Sequence, residues 1–542
     1  MIILQFKRII LLLVFSVFLN QCELLIPQED NSDRDAQNLL LFLALTSGCD
    51  IGNSGFWTID FTTGEDQCVR VRKVAEGNSV ILFEEVGLDE IRAELGILIN
   101  PSYSGILSQI EARFPLLKDA IGNPSDINGD GKVAIVFLNI STFFTGGSFV
   151  AGYFNPLDLF SAPAFSGINT NQREVIFVDA IYLTALGNNT QGASIPRDLM
   201  STVFHELQHL IRYPWEVGKG NATAPLQFPR TQSELNTLLD TDSLWINEGT
   251  SELASDIAGY GPQESRLACL RADPAYGCQN LLNGKSLYRF TNRIIDYSLS
   301  YAWMANLYHN AGNTLAERNQ FLKATIQGGT FNRRGKNIFD LTSLFRTNAP
   351  RFNSTILSSN STTVHGNITG SFFANFFKYP NAATTTSRLN LTASSTNISS
   401  VGGGTGLLTT YALPSTLDAL VKQPGNVSLI NNSPTNFDLN PGQIYRVAGT
   451  APALSFTSNI HVFQNGLGGS EEYVIFNGNL NETNSSSTFV SSVKASGSNM
   501  IDQMDLHRKP NLNLPIISGR AGIHAAEYIQ RRNAWKILQT ME

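Results

Sequence analysis

Charge is scarce in this chain. Asp, Glu, Lys and Arg make up 15% of its 542 residues, the net charge is −7, and Lys and Arg form no stripe. Nucleic-acid binding needs such a stripe to displace counterions, so a nucleic-acid partner is excluded. The mild acidity says little about a substrate. Beyond residue 22 no apolar run is long enough to cross a bilayer. Cysteine is rare, and none of the five has the spacing of a metal-ligand pair. Histidine is almost as rare, at seven residues, so two histidines standing four apart demand an explanation.

They stand in Phe204-His205-Glu206-Leu207-Gln208-His209. Ser194 and Pro196 give a helix start, Asp198 falls in the first turn, and Pro214 marks the stop. Leu199, Met200, Val203, Phe204, Leu207 and Leu210 supply an apolar stripe. On a helix, residues four apart share a face, so both imidazoles can reach one metal ion. Glu206 is then placed to take a proton from a water on that metal, the arrangement of a zinc hydrolase. The plainer reading is two ordinary histidines beside a structural glutamate.

Catalytic zinc needs a third protein ligand and a fourth position open to water. Downstream, residues 244–256 read as a second helix in which Glu248, Glu252 and Asp256 are spaced by four. One carboxylate can bind zinc, and another can accept the free N–H of a ligand histidine. A solvated acidic face is the alternative. Leu244, Trp245 and Ile246 before Glu248, and Leu253 and Ala254 after it, favour an inward face. Glu248 is the expected ligand and Glu252 its rival.

His205-Glu206-Leu207-Gln208-His209 followed by Trp245-Ile246-Asn247-Glu248-Gly249 resembles the gluzincin metallopeptidases. In that group the acid of an Asn-Glu pair is the third zinc ligand, which maps onto Glu248. The gap from His209 to Glu248 resembles the secreted bacterial hyicolysin family within the group. So do Asp126-Ile127-Asn128-Gly129-Asp130-Gly131-Lys132-Val133 and Ala151-Gly152-Tyr153-Phe154. The resemblance spans residues 85–350 and implies a zincin fold, one catalytic Zn²⁺ and endopeptidase activity. Related enzymes hold the developing oxyanion with a Tyr or His. Tyr260, Tyr297, Tyr301 and His309 are the candidates here. Tyr301 is the first choice, because residues 298–303 form an apolar helical run after the zinc helices.

The first 22 residues read as an export signal, with Lys7 and Arg8 ahead of a short apolar stretch from Ile9 to Leu19. Leu19-Asn20-Gln21-Cys22 resembles a lipoprotein cleavage box, although Gln21 departs from the usual small residue. Acylated Cys22 would tether the protein to an envelope membrane. A cleaved soluble product and an uncleaved anchor are the alternatives. Export would leave Cys49, Cys68, Cys269 and Cys278, an even number that fits two disulfides. Sequence order favours Cys49–Cys68 and Cys269–Cys278 among the three pairings.

The expected organisation is a signal peptide (1–21), a tether (22–48), a small β region (49–84), an α+β zincin-like body (85–350), an all-β sandwich-like accessory domain (351–500) and a tail (501–542). Ser, Thr, Asn and Gly become dense after residue 350, and helical periodicity disappears. Asp126, Asn128 and Asp130, followed by Gly131, resemble the first half of an EF-hand Ca²⁺ loop. The twelfth position holds Phe137 instead of Glu. The loop is therefore either a truncated calcium site completed by other oxygens or an Asx-rich turn.

These readings converge on an exported, monomeric zinc endopeptidase acting on polypeptides laid along a sheet edge. Two rivals stand beside it: a surface adhesin with a structural zinc site, and a zinc amidase acting on cell-wall peptides.

Overall fold

The computed structural model describes residues 49, 51, 54–61, 64–94, 101–140, 150–161, 168–181, 197–231, 233–234, 238, 242–263, 265–266, 269, 285–291, 293–312, 314–329, 333–348, 440–448, 460–464 and 472–477. The chain divides into two compact units, Met1–Asp50 and Ile51–Glu542, and every regular element below lies in the second. The signal, Cys22, the tether, Cys278 and most of residues 351–542 lie outside the described residues.

Strands β1 (Gly55–Ile59), β2 (Asp66–Glu76) and β3 (Val80–Glu85) form an antiparallel meander. Helices α1 (Leu88–Glu94) and α2 (Tyr103–Ile121) follow on either side of Pro101. Strands β4 (Val133–Leu138), β5 (Gly152–Tyr153) and β6 (Val175–Asp179) complete one six-stranded sheet of order β1-β2-β3-β4-β6-β5. Within it β3–β4 and β4–β6 are parallel, while β5 lies antiparallel to β6 at the edge. The sheet thus runs across the division drawn from sequence between 49–84 and 85–350, because β3 pairs directly with β4.

Alternation along β4 shows why its six apolar residues are all needed. Val133, Ile135 and Phe137 enter the main core beneath the helices. Ala134, Val136 and Leu138 enter a smaller core on the opposite face, with Phe56, Phe83 and Phe177. Both faces are covered, so the strand reads as a continuous apolar run.

Five further helices build the body: α3 (Arg197–Glu216), α4 (Leu244–Ile257), α5 (Ile294–Ala311), α6 (Leu315–Gln327) and α7 (Ile338–Asn348). Helix α3 packs on β5 and β6 and carries α4, which in turn carries α5. It continues two residues past Pro214, which stands in its last turn. Pro214 has no N–H to give the Leu210 carbonyl, so the last turn forms without that bond and the helix ends soon after.

A buried ion cluster fixes α3 against α4. Arg212, fully buried on α3, donates to Asp242 just before α4 (Nε–Oδ2 2.9 Å) and to Glu216 (3.2 Å). Arg334 also pairs with Asp242. Further along, Ser255 Oγ on α4 donates to the Ser201 carbonyl on α3 at 2.7 Å.

Near the C-terminus, β7 (Ile444–Ala448), β8 (Ile460–Gln464) and β9 (Glu472–Asn477) form an antiparallel sheet of order β7-β9-β8. These three strands lie within residues 351–500. The rest of the expected sandwich lies outside the described residues. The segment leading into β7 is stitched to residues ahead of α5, with Ser286 Oγ donating to the Pro441 carbonyl at 2.8 Å. No described helix is long and apolar enough to cross a membrane.

Candidate metal centre

Helix α3 turns its apolar stripe into the core and leaves His205 and His209 facing α4. Their Nε2 atoms stand 3.2 Å apart. From α4, Glu248 brings Oε2 to 3.1 Å from His205 Nε2 and Oε1 to 3.6 Å from His209 Nε2. Around a tetrahedral zinc with bonds of about 2.0–2.2 Å, ligand atoms lie about 3.3–3.6 Å apart. The separations of 3.1, 3.2 and 3.6 Å, with one Glu248 oxygen toward each histidine, lie within about 0.2 Å of that frame. Among the described residues this is the group of three His, Cys, Asp or Glu side chains whose donor atoms all lie within 4.8 Å of one another. Two imidazole nitrogens with one carboxylate form a donor set that suits Zn²⁺ and leaves a fourth position for water.

Both histidines have a polar side chain behind them, at hydrogen-bond distance for His209 and at ion-pair distance for His205. His209 Nδ1 lies 3.2 Å from Asn247 Oδ1, and His205 Nδ1 lies 3.6 Å from Glu252 Oε1. Such partners fix the tautomer and turn Nε2 toward a metal. Glu252 is itself held by Arg266, whose Nε donates to Oε1 at 3.2 Å. The acidic ridge of α4 is therefore buried rather than solvated: Glu248, Glu252 and Asp256 are all nearly inaccessible to water. Its members divide the work, with Glu248 on the histidine pair, Glu252 on His205 and Arg266, and Asp256 on a tyrosine.

That tyrosine is Tyr301. Its ring is fully buried and its hydroxyl donates to Asp256 Oδ2 at 2.9 Å. Asp256 stands eight residues beyond Glu248, about 12 Å along the helix at 1.5 Å per residue. The expected oxyanion donor is thus engaged two turns from the metal group. Sequence puts Tyr301 first for the oxyanion role, and the structure sets its hydroxyl on Asp256. One turn earlier on α5, Tyr297 faces the site: its ring centroid lies 6.5 Å from that of His205, and the Arg266 guanidinium covers its face at 4.7 Å. Gly249 permits this closeness. A Cβ there would come within 2.7 Å of the Ser300 carbonyl oxygen on α5.

Glu206 is buried beside the histidines. Burial pushes its carboxyl up, the two imidazoles pull it back, and Glu248 raises it again, so it stays above the ordinary glutamate range. The Phe154 backbone N–H supports it from the end of β5. Gly152 on β5 abuts it, and a Cβ at that position would lie 3.3 Å from Glu206 Cγ and 2.9 Å from the Phe177 carbonyl oxygen. For His205, burial lowers the proton affinity, but Glu248, Glu252 and Glu206 outweigh it and lift the imidazole to about 9. Three carboxylates around one histidine pair make a strongly cation-seeking pocket. Burial likewise raises the Tyr297 phenol, followed by Glu248, so it stays protonated as a donor.

Other sequence-derived sites lie elsewhere. Cys49, Cys68 and Cys269 are each disulfide-bonded. In the calcium-like loop, Asp126 Oδ1 accepts from Gly131 N, Asn128 Oδ1 from Asp130 N and Asp130 Oδ1 from Lys132 N. Arg266 and the orienting part of Asn247 were not assigned from sequence. Asn247 had a signal, its place beside Glu248 at one turn's reach from His209, whereas Arg266 sits outside both helices and had none.

No family model matches the chain. A neutral metalloprotease of Staphylococcus hyicus, ShpI, is 28% identical over 203 residues, 37% of this chain. The match spans 40% of that protein's length, a distant and partial similarity to a metallopeptidase.

Proposed function

We propose that this chain is a zinc endopeptidase, akin to the hyicolysin-like gluzincins. The observation that carries the reading is the convergence of His205 Nε2, His209 Nε2 and the Glu248 carboxylate beside a buried, unligated Glu206. A purely structural zinc needs no such base. The partial similarity to a neutral metalloprotease supports the same reading.

Zinc, when bound by these three side chains, supplies a Lewis acid that acidifies a water and polarises a carbonyl. Glu206 accepts the proton of the attacking water and returns it to the leaving amine. Its raised proton affinity suits both directions of transfer. Asn247 and Glu252 keep the histidines aimed. Tyr297, protonated and lodged against Arg266, donates to the oxygen on which charge develops. The substrate adds as an extended strand beside β5, the sheet edge next to α3.

Export and a lipid anchor at Cys22 complete the proposal. Support comes from the basic and apolar start of the chain and from the three disulfide-bonded cysteines. The test is to incubate the purified chain with casein and with cross-linked wall peptides and to identify new termini by mass spectrometry. The reading expects internal cuts in casein. Cleavage of wall peptides alone would favour the amidase, and zinc binding with neither product would favour the adhesin.

A further inference from the structure

The loop from Asp126 to Lys132 lies outside the zinc centre and between two strands of the sheet. It precedes β4, and it touches the start of β6 through Glu174. Glu174 is 1% exposed. Its Oε1 accepts the Ile127 backbone N–H at 2.9 Å, which aims the carboxylate into the loop from 47 residues away. Its Oε2 is buried with no hydrogen-bond partner among the described residues. Ser125 Oγ lies near enough to ease the ionisation of Glu174, yet among the described residues it makes no hydrogen bond. A buried carboxylate oxygen without a donor is costly unless a cation or a proton satisfies it.

The geometry points to a Ca²⁺ site formed by Asp126, Asn128, Asp130 and the Lys132 carbonyl, with Glu174 supplying the carboxylate that an EF-hand loop takes from its twelfth position. The twelfth position here is Phe137, which is fully buried in the helix-side core and offers no oxygen. Calcium accepts six to eight oxygens at about 2.3–2.6 Å, and its loops tolerate ligands from elsewhere in the fold. Each carboxylate oxygen has two lone pairs, so the backbone bonds already made to Asp126 Oδ1 and Asp130 Oδ1 leave capacity for an ion.

Two features set the limits of the site. Arg173 Nη2 pairs with Asp130 Oδ2 at 3.0 Å and neutralises part of the loop. The acidic oxygens are also not gathered within 4.8 Å as the zinc donors are, so the loop contracts when calcium binds. Asp126 N–H donates to the Ala222 carbonyl at 2.9 Å. A bound ion therefore ties together the entries to β4 and β6 and the segment that follows α3.

The test uses the full chain carrying Glu206→Gln, which prevents self-cleavage. The protein is freed of calcium on a chelating resin and supplied with one equivalent of zinc. Calorimetric titration with calcium chloride is expected to show a site that Glu174→Gln and Asp126→Asn each weaken by about tenfold or more. Calcium is also expected to raise the melting temperature of the parent but not of Glu174→Gln. Asn128→Ala changes an exposed residue and preserves the test if Glu174→Gln fails to fold. No calcium binding by the parent would show that Arg173 alone balances the loop and would overturn the proposal. Binding unchanged in Asp126→Asn and Asn128→Ala would overturn it as well.

Discussion

Glu252 Oε1 stands 3.6 Å from Nδ1 of His205, on the opposite edge of the imidazole from the Nε2 that faces Glu248 and His209. One carboxylate on α4 thus aims the histidine that another carboxylate, one turn away, meets from the front. Glu252→Gln should keep the fold and weaken zinc binding about 10–100-fold, the usual cost of losing such a partner. Competition with a fluorescent zinc chelator measures this, and unchanged affinity would remove Glu252 from the site.

Tyr297 and Tyr301 separate cleanly by substitution. Tyr297→Phe should lower kcat about 10²–10³-fold with little change in KM, as expected for loss of an oxyanion donor. Tyr301→Phe loses the bond to Asp256 and should cost stability, about 1.5–3 kcal/mol, with kcat preserved. Steady-state kinetics beside denaturant unfolding distinguishes the two, and the reverse pattern would restore Tyr301 to the reaction.

Gly152→Ala probes the base from behind. The added methyl would press on Glu206 Cγ and on the Phe177 carbonyl. Zinc content should remain at one per chain while kcat/KM falls about tenfold or more, because displacement of a catalytic group by less than 1 Å is costly. A variant as active as the parent would show that Glu206 tolerates movement.

The buried cluster at the end of α3 gives a pH signature. Burial, and then the charge of Asp242, lift Glu216 to about 7. A carboxyl whose folded value is raised binds more protons folded than unfolded, so stability falls as pH rises from its ordinary value near 4.5 through 7. Glu216→Gln removes that slope. The melting temperature of the variant should gain on the parent between pH 5 and pH 8, and parallel curves across that range would contradict the assignment.

Much of the metal centre was legible because its chemistry is local. His205, Glu206 and His209 are set by one helical turn, and Glu248 by the same spacing logic on α4. Tyr297 and Tyr301 lie one turn apart on α5, and the apolar run that puts Tyr301 first in sequence does not say which ring faces the metal group. The choice depends on how α5 lies against α4, which the contact at Gly249 helps to set. Arg266 joins Glu252 only through tertiary packing, and Glu174 reaches the calcium-like loop from a distant strand. The parallel pairing of β3 with β4 is likewise long-range, so the sheet's continuity could not be read from two apolar runs.

The central claim is that one zinc-binding group and Glu206 together hydrolyse peptide bonds. Metal content and casein hydrolysis, measured side by side for the wild type and Glu206→Gln, test it most directly. The account predicts one zinc per chain in both proteins, and turnover only in the wild type. A chain that binds no zinc, or a Glu206→Gln variant that cleaves as fast as the wild type, would contradict it.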